Sequence, residues 1–395
     1  MSKGDERNLD HCLKCSTCHT QCPVVANYLA FPGPKQLGPE LERLRLARGG
    51  KAPFEIDEAL NYCTNCKRCD IACPHGVKPS YYNIKNKAKL KGKSLNKFRD
   101  WILAHNVWWG KIGSQIPSLT NFGLKFPLTR LSMGLVGVAN RHFPKYEKKK
   151  VIISKEKKEK KALYYAGCYA SYNEPQIIQA AVNILEACGY QVELAPAACC
   201  GTPMVSNGLL EEAGKLAEKN TDIFLKYIQQ GFKIITTCSS CGLALKEEYA
   251  HMLPGEKSNR LRKNIWDLFE ILDEEGILPF SSSQKIAKAY YHVPCHLKAQ
   301  GIGVPAANLL KAIAIKELII EDSYCCGISG TYGFKKEKYA LSMAIGGPLF
   351  QDIKESQVPL VITDCGTCKL QIEHGTGVTV NHPAVILENY LKKTQ

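Results

Sequence analysis

Four apolar runs in the second half of the chain end on cysteine. Ala162-Leu-Tyr-Tyr-Ala-Gly-Cys168 and Ala289-Tyr-Tyr-His-Val-Pro-Cys295 are short and aromatic; Lys233-Ile-Ile-Thr-Thr-Cys238 and Leu360-Val-Ile-Thr-Asp-Cys365 are rich in β-branched residues. Runs of this length and composition predict buried strands. Between them apolar positions return at helical spacing, over Ile177 to Cys188, Leu209 to Tyr227, Asn308 to Lys316 and Glu337 to Ile353. Strands alternating with helices predict a parallel sheet, and open sheets of that kind gather their sites at the carboxyl ends of the strands. The cysteines fall at those ends.

Upstream the pattern is helical. Pro39 to Arg48 predicts a short helix opened by Pro39 and closed by Gly49-Gly50, and Pro53 to Leu60 predicts a second. Further on, Phe98, Trp101, Ile102, Trp108 and Trp109 recur near helical spacing, with Lys97, Arg99 and Asp100 between them. Pro127 opens another stripe, Leu128, Leu131, Leu135 and Val138, which closes at Arg141-His142. Amphipathic helices bearing Trp and Lys fit a bilayer interface; they equally fit packing on the protein's own core or on a partner protein.

Composition narrows the class. With 395 residues, 45% hydrophobic and 23% charged, the chain has room for two or three packed domains. Its net charge is +15, and Lys145 to Lys161 alone carries nine Lys against three Glu. Nucleic acid, an anionic membrane surface or anionic clusters could each require that excess. No base-reading motif accompanies the lysines, so nucleic acid is not expected as a partner. The first residues carry no apolar signal region, and no apolar run approaches the ~20 residues of a membrane span, so the expected location is cytoplasmic. In a reducing compartment, 19 Cys point to metal ligation and not to disulfides.

The cysteines form two duplicated patterns. Cys12, Cys15, Cys18 and Cys22-Pro23 have the spacing Cys-x2-Cys-x2-Cys-x3-Cys-Pro, and Cys63, Cys66, Cys69 and Cys73-Pro74 repeat it 51 residues later. This is the bacterial two-cluster ferredoxin pattern, in which the fourth Cys of each run ligates the other cluster. One [4Fe-4S] cluster is therefore expected on Cys12, Cys15, Cys18 and Cys73, the other on Cys63, Cys66, Cys69 and Cys22. Zinc sites use separated Cys-x2-Cys pairs and would leave thiols idle here. The second pattern is a lone Cys, a Cys-Cys-Gly and a Cys-x2-Cys: Cys168, Cys199-Cys200-Gly201 and Cys238 with Cys241, then Cys295, Cys325-Cys326-Gly327 and Cys365 with Cys368. Each set brings five thiolates towards one place. Gly201, Gly242, Gly327 and Gly366, which follow ligands, are expected to let the backbone approach a cluster closely. Thr331 to Lys336 is either the lining of an acceptor pocket, through Tyr332, Lys335 and Lys336, or a helix start. Cys188, on an apolar helix face, is expected in the core.

The fold expectation is α+β and multidomain. An α-helical two-cluster ferredoxin domain (1–92) and a basic amphipathic connector (93–160) precede a tandem duplicated α/β Cys-Cys-Gly pair (161–282 and 283–395). Tandem ferredoxin runs followed by two such domains resemble the Cys-Cys-Gly iron–sulfur family of heterodisulfide reductase catalytic subunits and of glycolate and lactate oxidation systems. Phe31 to Gln36, Tyr62 to Cys69, Cys325 to Glu337 and Ala344 to Phe350 look most like the iron–sulfur subunits of anaerobic glycerol-3-phosphate dehydrogenases. The resemblance implies an electron-transfer and membrane-anchoring subunit on the cytoplasmic face of the inner membrane. A flavin-containing glycerol-3-phosphate dehydrogenase partner would supply electrons, and membrane quinone, expected to be menaquinone, would take them. It also implies a non-cubane [4Fe-4S] cluster on each five-cysteine set, or zinc in one half. The alternatives are a disulfide or heterodisulfide reductase and the equivalent subunit of a lactate or glycolate system. No flavin or nicotinamide motif is present, so no substrate-dehydrogenating site is expected on this chain.

Overall fold

The structure, a computed structural model, describes residues 9–50, 58–90, 94–196, 199–276, 280–281 and 285–392. Between the two N-terminal cysteine loops, a π-type turn over Gln36–Glu40 runs into α1, Leu41–Ala47. Pro39 lies inside that wide turn and does not open the helix. A widened turn tolerates a residue with no N–H to give. Gly49 and Gly50, both at positive φ, close the segment as expected. Of the helix expected over Pro53 to Leu60, residues 53–57 lie outside the described residues, and Glu58–Tyr62 is a 3-10 helix. α2, Pro79–Lys87, follows the second loop and packs on the π-type turn. Glu42 of α1 is fully buried, with Arg45 at 2.6 Å and Lys85 of α2 at 3.0 Å. That ion cluster holds α1 to α2.

Four helices follow where two stripes are legible in the sequence: α3 (Ser94–Ala104), α4 (Asn106–Gly113), α5 (Pro117–Gly123) and α6 (Pro127–Leu135). Pro117 and Pro127 open α5 and α6 with φ already set for helix. α3 and α4 carry the first stripe and α6 the second, whereas α5, only two turns long, is too short for its periodicity to stand out. Val138 is buried, but Leu128, Leu131 and Leu135 of the expected stripe are exposed.

The remainder is two copies of one parallel α/β unit. The first runs β1 (Lys160–Tyr164), α7 (Gly167–Tyr172), α8 (Pro175–Ala187), β2 (Tyr190–Leu194), α9 (Leu210–Gln229), β3 (Phe232–Thr236), α10 (Ser239–Leu243), β4 (Ile265–Asp267) and α11 (Leu268–Glu275). The second runs β5 (Ile286–His292), α12 (Cys295–Gln300), α13 (Pro305–Ile313), β6 (Ile315–Glu321), α14 (Lys336–Glu355), β7 (Val361–Ile362), α15 (Gly366–Thr376), β8 (Val380–Asn381) and α16 (Pro383–Glu388). The sheets have the same order, β2-β1-β3-β4 and β6-β5-β7-β8. In the first, Ala162 of β1 is in register with Val192 on one side and Lys233 on the other. The helix expected to reach Lys316 stops at Ile313, because Ile315, Ile319 and Ile320 continue as strand β6. β2, β4 and β8 do not stand out in the sequence, being short or edge-placed with polar residues alternating.

Helical faces account for the packing. Ala213, Ala217, Asn220 and Phe224 line the buried side of α9 at steps of three and four. Asp267 and Glu270 form a capping box that starts α11: Phe269 N donates to Asp267 at 2.9 Å and Asp267 N to Glu270 at 3.1 Å. One apolar core runs through both halves, with α8 against α16 and α11 against α13, and Cys188 lies within it. A second core joins Val24, Phe31, Leu37, Leu41 and Leu60 to Cys325 and Ile345, so the N-terminal segment packs directly on the second half. Among the described residues no helix is long and apolar enough to cross a membrane.

Candidate metal centres

The two N-terminal cysteine loops are built alike. Lys14 and Ser16 adopt left-handed φ of 59° and 68°, and Asn65 and Lys67, 51 positions on, adopt 54° and 65°. Left-handed residues between successive cysteines curl the loop around its own thiols. Cys12, Cys15 and Cys18 line one pocket with Cys73, alongside Lys14, Lys35 and His75. Cys22 instead faces Cys63 and Cys66, and burial, then those two neighbours, push its thiol up to about 12. Burial, with Cys12 and Cys73 adding repulsion, raises Cys18 to about 11. The structure thus brings Cys73 beside the first loop of three thiols and Cys22 beside the second. Protons on such buried thiols must leave when metal binds, so folding and cluster loading are linked here.

The five-cysteine sets also converge. Cys168 lies at the carboxyl end of β1, Cys199 and Cys200 follow β2, and Cys238 and Cys241 flank the start of α10 after β3. Cys295, Cys325, Cys326, Cys365 and Cys368 take the matching places around β5, β6 and β7. Within each set the second Cys of the doublet is the pivot. Hydrogen bonds from Cys199 and Cys241 hold Cys200 well below the ordinary thiol range, and those from Cys325 and Cys368 lower Cys326 to about 6. Cys326 and Cys368 lie 3.1 Å apart at sulfur. Sets of five thiols gathered in this way, three or four of each buried and the rest half-buried, with no disulfide among them, fit a thiophilic iron or zinc centre. Gly327 at φ 84° is required sterically: a Cβ there would meet the Ser342 carbonyl of α14.

Gly242 and Gly366 also make room for the opposite half: Gln300 of α12 lies 2.8 Å from where a Cβ of Gly242 would be, and the Tyr169 ring of α7 occupies that place at Gly366. The two units thus lean on each other, lone-Cys helix against Cys-x2-Cys helix. His296, next to Cys295, ties three cysteine loops together. Its Nδ1 lies 2.9 Å from Ser240 Oγ, between Cys238 and Cys241, and its Nε2 lies 3.1 Å from the Asn65 carbonyl, between Cys63 and Cys66. Arg68 donates to the Ser323 carbonyl at 2.6 Å, Ser329 to the Thr64 carbonyl, and Asn65 and Lys67 both reach Glu248 at 3.3 Å. Cys295 is near enough to add its own repulsion to Cys66. None of these bridging residues is legible from motif spacing, because each acts across segments far apart in sequence.

Tyr332, Lys335 and Lys336 do not form one pocket. Lys335 is buried and committed to Asp100 and Asn207, both at 2.7 Å. Lys336 is exposed at the start of α14, and Tyr332 is buried in a 3-10 turn just before it. Two other lysines are buried here: Lys87, which donates to the Ser206 carbonyl at 2.8 Å, and Lys338, which donates to the Asn61 carbonyl over the rings of Tyr62 and Tyr332. Burial and Lys335 bring Lys87 down to about 8, while Cys63 opposes that shift. Positive charge in dry surroundings beside Cys63 suits an anionic cluster.

The lone Cys of the first half meets the connector. Asn106 of α4 donates to Cys168 Sγ at 3.3 Å, and Gly110 lets the Tyr172 ring of α7 approach α4. The opposite faces of α4 to α6 expose Trp108, Trp109, Ile112, Phe122, Leu128 and Leu131. From Trp101 to Tyr146 the chain has no Asp or Glu.

Fold and sites together define an iron–sulfur electron-transfer protein. A 4Fe-4S dicluster domain is matched over residues 8–77, and a cysteine-rich domain twice, over 162–246 and 289–373. The chain is 36% identical to one of the subunits of the anaerobic glycerol-3-phosphate dehydrogenase of Escherichia coli K12, across 98% of its own length and all of that protein. It belongs to the family of that protein. It is also similar to the glycolate oxidase iron-sulfur subunit of E. coli K12, at 23% identity over 97% of this chain and 94% of the relative. One of the subunits of the fumarate reductase (CoM/CoB) of Methanothermobacter marburgensis is 25% identical over 93% of this chain and 68% of that one.

Proposed function

We propose that this chain is the electron-transfer and membrane-docking subunit of an anaerobic glycerol-3-phosphate dehydrogenase. It would take electrons from a flavin-containing partner and deliver them to membrane quinone, menaquinone by resemblance to the family. The substrate enters this reading through the relative's name and the end-to-end similarity to it. Cys12, Cys15, Cys18 and Cys73 would hold one cubane [4Fe-4S] cluster, and Cys63, Cys66, Cys69 and Cys22 the other. Each five-cysteine set would hold a non-cubane [4Fe-4S] cluster. These groups carry one electron at a time; the protein's part is to space them, exclude water and offset their charge.

The observation that carries the reading is the unbroken succession of thiol sites through the molecule. Cys15 is exposed, so the first site is open to a partner. The second is buried against the second half, where Cys66 approaches Cys295. His296 links that site to the first half, and Cys168 there touches α4 beneath the exposed apolar helices. Electrons would enter at the first ferredoxin site and leave from the Cys168 set towards quinone. Trp108 and Trp109 with Lys111, Lys125 and Arg130 suit the headgroup region of an anionic bilayer.

The test is a complex isolated without oxygen from cells that make this chain. Glycerol 3-phosphate, and not lactate or glycolate, should bleach its visible absorption. A menaquinone analogue in vesicles should restore the colour. Bleaching by lactate or glycolate alone would assign the chain to a different oxidation system. Reoxidation by a disulfide in the absence of quinone would make it a reductase.

A further inference from the structure

The two five-cysteine pockets differ at one inward-facing position. The 127-residue offset that relates Cys168 to Cys295 also relates Tyr165 to His292. Both residues are wholly buried, and each holds one polar atom without a partner, the Tyr165 hydroxyl and His292 Nε2. Tyr165 is surrounded by Cys241, Cys200 and Cys199. A phenol O–H is a hydrogen-bond donor towards a sulfur, not an imidazole-type metal ligand.

His292 is set up differently. One of its ring nitrogens and the Sγ atoms of Cys326 and Cys368 all lie within 4.8 Å of one another. Its Nδ1 lies 3.4 Å from Glu321 Oε2. The other oxygen of Glu321 accepts the Ser323 and Tyr324 amides at 2.5 and 2.6 Å. A carboxylate held by two amides is an acceptor only, so the proton of the imidazole belongs on Nδ1. Nε2 then carries a lone pair, and it has no protein partner. A histidine whose other N–H is fixed by a carboxylate is the arrangement by which proteins orient metal-ligating imidazoles.

We infer that His292 Nε2 is a metal ligand of the second centre, which has a mixed nitrogen and sulfur donor set, whereas the first has sulfur alone with Tyr165 beside it. Imidazole is neutral and gives less electron density to iron than thiolate does, so the second centre has the higher potential of the two. The inference deepens the relay reading and rests on it only in requiring that the second half bind metal.

The test starts with the intact chain, purified without oxygen from cells fed 15N-histidine. Pulsed EPR of the second centre should show one strongly coupled histidine nitrogen. His292→Tyr, which copies the first half, should abolish that coupling and shift the midpoint potential downward, with iron per chain retained; His296→Gln should keep it. Nitrogen coupling no stronger than a backbone amide gives, or coupling that survives His292→Tyr, overturns the inference. The labelled wild-type protein gives this answer even if the variant does not fold. Should the second half hold zinc, a nitrogen scatterer at the zinc edge that vanishes in His292→Tyr upholds the ligand and refutes only the four-cluster relay. A zinc site without that scatterer, or a second half without metal, overturns the ligand as well.

Discussion

At the scale of single residues, the charges buried between segments are sensitive to the loss of a partner. Glu42 has no exposure, and it sits among Arg45, Lys85 and, at 4.0 Å, Lys89. Burial alone would raise its carboxyl; the hydrogen bonds of Arg45 and Lys85 bring it down to about 2 instead. Glu42→Ala would leave the half-buried Arg45 and Lys85 without their counter-charge, and the expected loss is roughly 1.5–3 kcal/mol. Chemical denaturation followed at the visible absorption of the clusters would show it, and an unchanged midpoint would refute the argument. His382 sets an acid limit. Its Nε2 lies 3.1 Å from the Thr237 carbonyl of the other half, its Nδ1 accepts the Ala384 amide at 3.1 Å, and burial lowers it to about 4. Between its ordinary value of 6.5 and about 4, the unfolded chain takes up a proton that the folded one refuses. Its contribution is therefore complete above pH 6.5 and falls by about 1.4 kcal/mol per pH unit down to about pH 4. His382→Asn should flatten the stability profile in that window; a profile as steep as the wild type's would contradict the assignment.

Among the elements, α4 to α6 join the first half to the surface. Trp108, Trp109, Ile112, Ile116, Leu119, Phe122, Leu128 and Leu131 are each 44–67% exposed, far more contiguous apolar area than isolated surface residues present. Replacing Phe122 and Leu131 by Asp should leave the fold and iron content unchanged, since neither side chain is buried. Sedimentation with anionic vesicles should fall at least tenfold. Binding that is undiminished would mean that these helices face a protein partner. The elements also show what the sequence could and could not reveal. The strands that end on cysteine, and the helices between them, are legible because strand and helix periods recur there, most strongly over the long α8, α9 and α14. The short connector helices are less so: α4 and α5 span two turns each, and Gly110, Gly113 and Gly123 interrupt their apolar pattern. Whether Leu128 and Leu131 face a core or solvent is a tertiary fact that periodicity does not contain.

For the whole molecule, cysteine spacing makes the grouping of the sites legible, because the ligands of each are few and close in sequence. The exchange of Cys22 and Cys73 between the two loops follows from the ferredoxin spacing. The order of the sites does not, since it depends on His296, Ser240, Asn65 and Asn106, which meet only once the chain is folded. The same holds for Gly242 and Gly366, whose missing side chains make room for the opposite half. Lys335, which motif reading offers to an acceptor, is one strut of the joint between connector and both halves.

The proposed relay places all four thiol sites on one electron path. Its most direct test is iron, zinc and acid-labile sulfide per chain, on protein purified without oxygen. The relay requires about sixteen irons with matching sulfide, for four four-iron clusters. About eight irons, with zinc making up the difference, would confine conduction to the N-terminal pair and contradict the relay.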